Sequence, residues 1–102
     1  VACVYRKLGW STKHVDPVSL DGDAEVICDE AWERIGDEAC SAREIGDVIL
    51  SYPSENKPHV SVLVSTRLGL AFSAFLGHGA MSVRKGSIQQ VRGVYRLRRP
   101  YR

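Results

Sequence analysis

Gly46-Asp47-Val48-Ile49-Leu50 and, nine residues on, His59-Val60-Ser61-Val62-Leu63-Val64 are the two runs whose reading decides the fold. In the first, a Gly-Asp turn feeds a short apolar run of strand length. In the second, Val60, Val62 and Val64 alternate with Ser61, Leu63 and Ser65, apolar enough on both faces for a central strand. Gly46 and Asp47 read as a structural turn, with the Asp47 carboxylate accepting backbone N–H groups on the way into its strand. His59 stands where the second run begins, which sets an imidazole at a strand edge beside a pocket rather than deep in a core.

Working outward, the first run reads as a strand over residues 48–52, ended by Pro53, and residues 54–58 as a polar loop. Residues 70–76 read as a third strand, Gly77-His78-Gly79 as a turn, 80–84 as a short strand and 87–91 as a single helical turn. The last strand covers 94–98, with Tyr95 and Leu97 on one side and Arg96 and Arg98 on the other. Upstream the period is helical. Val1, Val4, Tyr5 and Leu8 share a face, Arg6 and Lys7 favour a helix C-terminus, and Gly9 is a stop. A second helix is expected from an N-cap at Asp21 or Asp23 to Gly36, with a stripe of Ala24, Ile27, Cys28, Ala31 and Ile35 and Trp32 at its margin. Helices first, then antiparallel strands, predict an α+β fold: N-terminal helices packed on a small antiparallel sheet.

The 102 residues predict a single domain over 1–102. A composition of 44% hydrophobic and 25% charged residues is ordinary for a globular chain. The longest apolar run, around residues 68–76, is interrupted by Gly69 and Ser73, so no membrane span is expected. The chain starts with Val and without a basic-then-apolar leader, so the domain reads as N-terminally incomplete.

The net charge of +2 conceals a segregation. Residues 16–47 are acidic, with Arg34 and Arg43 as the only Lys or Arg, whereas residues 56–102 contain no acid at all. The two halves either attract each other or face different partners. Only Arg96, Arg98, Arg99 and Arg102 cluster, so the signal for a nucleic-acid partner is weak. Cys3, Cys28 and Cys40 form neither a disulfide framework nor a zinc ribbon. A mixed Cys28, Cys40, His59 and His78 metal site has no compact ligand spacing, so neither metal nor other cofactor is expected.

The runs quoted at the outset, with Ala71-Phe72-Ser73-Ala74 and the closing Gly93-Val94-Tyr95-Arg96-Leu97-Arg98-Arg99-Pro100, resemble the core of the NlpC/P60 cysteine peptidases. The likeness is greatest to the forms carried by bacteriophage tails and gene transfer agents. Val1-Ala2-Cys3-Val4-Tyr5-Arg6-Lys7-Leu8-Gly9 resembles the remainder of the helix whose start bears that family's Asp-Cys pair. The resemblance implies a papain-like core and hydrolysis of peptide bonds in bacterial peptidoglycan. It matches His59 to the general base and Ser73 to the residue orienting it, a place usually held by His, Asn or Gln. The nucleophile's place falls a few residues before Val1, and Cys3 lies about one turn along the same helix. The implied partners are a peptidoglycan peptide and other tail or particle proteins, and the implied location is a virion tail or the bacterial cell wall. Two readings stand beside the peptidase: a structural tail component that keeps the fold without the chemistry, and a small basic module using its arginine-rich end.

Overall fold

A computed structural model of the chain describes residues 2–13, 30–54, 57–75 and 79–102. It begins with a helix, α1 (Ala2–Leu8), followed by six strands: β1 (Trp32–Gly36), β2 (Val48–Ser54), β3 (Lys57–Ser65), β4 (Leu70–Phe75), β5 (Gly79–Arg84) and β6 (Val91–Leu97). Three 3-10 turns, Ala39–Ser41, Lys85–Ser87 and Arg99–Tyr101, complete the regular structure of the described residues. The strands form one antiparallel sheet in the order β1-β6-β2-β3-β4-β5. β2 to β5 follow one another as a meander, and β6 then crosses back to fill the gap between β1 and β2.

The sheet has a core on each face because successive side chains along a strand point to opposite sides. On one face Val48, Leu50, Val62, Tyr95 and Leu97 pack with Trp32 and with Tyr5 of α1. On the other, Ile49, Leu63, Ala71 and Val94 pack with Ala42, and the half-buried Ile35, Ile88 and Val91 close over them. Ile49, Leu50 and Leu63 are fully buried, and each such side chain contributes about 1.5–3 kcal/mol relative to exposure.

The expected α+β arrangement of N-terminal helices packed on a small antiparallel sheet, and with it the implied papain-like core, is corrected: among the described residues the fold is mainly a six-stranded antiparallel sheet with one short helix. The second helix fails over its last turn, because Trp32–Gly36 is β1; residues 21–29, with Asp21, Asp23 and Cys28, lie outside the described residues. The cause is tertiary. β1 pairs with β6, setting Trp32 opposite Leu97, Glu33 opposite Arg96 and Arg34 opposite Tyr95. The Arg34 guanidinium lies 5.8 Å from the Tyr95 ring centroid and donates to its hydroxyl at 3.3 Å. Cross-strand aromatic, apolar and opposite-charge pairs of this kind outweigh an apolar stripe at helical spacing. Gly36 is accordingly no helix stop: a Cβ there would run into the Ser41 side chain, so close approach is what demands glycine.

Smaller departures have local causes. β2 passes through Pro53 to Ser54, and Pro53, which has no N–H to donate, falls where the β2–β3 register shifts between Ser51 and Ser54. The turn expected over 77–79 and its His78 lie outside the described residues, apart from Gly79, which starts β5. Gly9 does end α1: φ is +76°, its N–H donates to the Arg6 carbonyl and the Trp10 N–H to the Tyr5 carbonyl. Those two bonds make a Schellman cap, which needs a left-handed residue at Gly9.

Candidate functional site

His59 is the third residue of β3, opposite Ser51 of β2. Strand alternation sends His59 and Ser61 to the face away from α1, since Val60 and Val62 pack on the α1 side. β4 runs on the other flank of β3 with Ser73 opposite Ser61. The result is a cavity of about 340 Å³ floored by Ser51, His59, Ser61 and Ser73. Val83 of β5 and the residues 87–90 form its wall and rim.

Ser51, Ser61 and Ser73 are each at most 2% exposed. The Ser61 and Ser73 hydroxyl oxygens lie 2.6 Å apart and share a hydrogen bond, and the Ser51 hydroxyl donates to the His59 carbonyl at 3.3 Å. His59 is half-buried with its Nε2 shielded from solvent. Burial holds its pKa below the ordinary imidazole value, because desolvation penalises the imidazolium. The ring is therefore neutral at pH 7, the form that can take up a proton.

The two residues that the family resemblance singled out, His59 and Ser73, thus line one cavity from neighbouring strands. Ser51, Ser61, Gln89 and Gln90 were not singled out. The serines had left a trace, as polar residues at positions facing the same way as His59 in otherwise apolar strands. Gln89 and Gln90 had left none, because only the return of β6 beside β2 brings their loop over the floor.

Gly46 and Asp47 form a separate structural centre. Gly46 has φ +96°, a left-handed conformation, and its N–H donates to the Leu63 carbonyl at 2.8 Å. A Cβ there would lie 2.5 Å from the Trp10 ring, and the Gly46 carbonyl accepts the Tyr5 hydroxyl at 2.7 Å. Asp47, 1% exposed, accepts the backbone N–H groups of Arg43 at 2.9 Å and Glu44 at 3.0 Å through Oδ2. Arg96 donates to both carboxylate oxygens at 2.9 Å and pairs with Glu44 at 2.7 Å. Burial alone would raise the Asp47 pKa, but the hydrogen bond from Arg96, those from the two amides and the Arg96 charge outweigh it and hold it below the ordinary carboxylate value.

No thiol lines the His59 cavity among the described residues. Exposed Cys3 borders an apolar groove with Val4, Leu8, Ile45, Val64 and Phe72 on the α1 face, opposite His59. Exposed Cys40 donates to the Glu38 carboxylate at 3.4 Å. Among the described residues no three His, Cys, Asp or Glu side chains converge as metal ligands; Cys28 and His78 are outside that set. The C-terminal arginines do not form one continuous free patch either. Arg96 belongs to the Asp47 centre, while Arg102 lies 4.4 Å from the Trp10 ring centroid and donates to the Leu97 carbonyl at 2.9 Å. Among the described residues no helix is long and apolar enough to cross a membrane. No protein-family model, curated protein or solved structure matches this chain.

Proposed function

We propose that this chain carries the histidine side of a peptidoglycan peptidase site of a phage tail or related particle, with His59 as general base. The observation that supports this reading is the shared cavity: His59 and Ser73 come from adjacent strands to one floor. A neutral imidazole is the protonation state a base needs at neutral pH, and the lowered His59 pKa supplies it. The nucleophile in this scheme is the cysteine that the resemblance implies a few residues before Val1. Ser73 is the orienting residue of this scheme, and its hydroxyl shares a hydrogen bond with Ser61.

The test is cleavage of purified peptidoglycan by the protein in its natural full-length form, followed as newly released amino groups. His59→Ala is expected to reduce the rate at least 100-fold, the usual scale for losing a positioned acid–base group being about 10²–10⁴. Unchanged cleavage in that variant sinks the role of His59.

A second reading has its own observation. α1 and Cys3 occupy the face opposite His59, which favours a structural particle component that retains the cavity without the chemistry. It is distinguished by absence of cleavage in the natural protein while binding to particle proteins persists.

A further inference from the structure

The lining of the His59 cavity carries more information than the histidine alone. Its floor is three serines and a neutral imidazole, and its rim holds Ser87, Ile88, Gln89 and Gln90. Among the described residues no Asp, Glu, Lys or Arg lines it. The arginine nearest in sequence to the rim, Arg92, lies 4.9 Å from the Tyr52 ring centroid. Ser61 and Ser73 hold two hydroxyl protons and use one in their mutual bond, leaving the other to be donated. Gln89 and Gln90 each bring an amide with donors and an acceptor.

The rim is also preformed. Lys85 Nζ donates to the Ala42 carbonyl at 2.7 Å and the Lys85 N–H to the Gly69 carbonyl at 2.7 Å. At the other end the Tyr52 N–H donates to the Gln90 carbonyl at 3.0 Å. Gln90 itself has φ +57° and is the sole described non-glycine residue with positive φ. A strained residue held between two anchored ends is where a backbone stores conformation for a site. The cavity volume, about 340 Å³, is at the small end of ligand pockets, about 300–1,000 Å³.

We infer that this cavity is a subsite for an uncharged amide, such as a peptide group flanked by small side chains, with Gln89 at its rim supplying hydrogen bonds but no charge to pair with a carboxylate. The inference deepens the peptidase reading by naming the ligand chemistry of the same site, and it holds for a non-cleaving protein as well. The hydroxyl proton left over from the Ser61–Ser73 pair and the glutamine amides satisfy a neutral carbonyl. Among the described residues a carboxylate entering the same space finds no cation, and an ammonium finds no carboxylate, so there each charged form retains its desolvation penalty.

Three peptides that differ only in charge provide the test: N-acetyl-alanyl-alanine amide, the same peptide with a free carboxylate, and alanyl-alanine amide with a free amine. Each is titrated into the full-length protein while the His59 imidazole signals are followed by NMR. The neutral peptide is expected to shift those signals and to bind at least tenfold more tightly than either charged form. In Gln89→Arg, a substitution at an exposed rim position, the carboxylate form is expected to gain at least tenfold. Equal or tighter binding of a charged peptide to the natural protein overturns the inference, as does failure of the neutral peptide to bind or to move the His59 signals. Cleavage is read separately. Neutral preference without any cleavage overturns the peptidase reading alone, and cleavage without that preference overturns this inference alone.

Discussion

Replacing Asp47 with Ala removes the carboxylate on which the entry to β2 is built, and the cost follows from its contacts. Four hydrogen bonds vanish: two from the Arg43 and Glu44 amides and two from Arg96. Taking one partner from a buried ion pair costs about 3–5 kcal/mol. Arg96 keeps Glu44 at 2.7 Å, and both of those side chains reach water, at 19% and 47% exposure. The lower end therefore applies, about 3 kcal/mol, or a fall in melting temperature of roughly 12–24 °C for a domain of this size. Urea denaturation should show a lower midpoint with an unchanged slope. A double-mutant cycle with Arg96→Met should show coupling, the double variant losing less than the two single losses combined. Because the folded Asp47 pKa is depressed, its contribution is present above the unfolded carboxyl pKa and is lost as pH falls through the lower folded value. Asp47→Asn should remove that part of the acid sensitivity. A loss below about 1 kcal/mol in Asp47→Ala, where a single ordinary hydrogen bond already contributes that much, would refute the reasoning.

Gly46→Ala should cost about 2–5 kcal/mol in urea denaturation, combining left-handed backbone strain with overpacking against Trp10; a loss under 1 kcal/mol would show that the turn and the ring yield easily. The His59 imidazole, followed by NMR, should titrate below the ordinary value of about 6.5. With the folded pKa lowered, its contribution to stability is full above the unfolded pKa and declines as pH falls through the folded value, and His59→Gln should flatten that decline. A midpoint at or above the ordinary value contradicts the buried setting.

What the sequence by itself determined is local: the strands from Val48 onward, written in a two-residue period, and the stop of α1 at Gly9. The turn at Gly46 and Asp47 was legible through its local part, the neighbouring Arg43 and Glu44 amides that the Asp47 carboxylate accepts. The tertiary structure decided the rest. Trp32–Gly36 closes an apolar stripe at helical spacing but becomes a strand because β6 offers Leu97, Arg96 and Tyr95 as partners. Asp47 found Arg96, and His59 found Gln89 and Gln90, through that same crossing of β6 back to β2. Pairings between residues tens of positions apart leave no periodic trace in a single chain. The sequence could mark a histidine at a strand edge, but which face it looked toward, and what lined that face, were settled by the order of strands in the sheet.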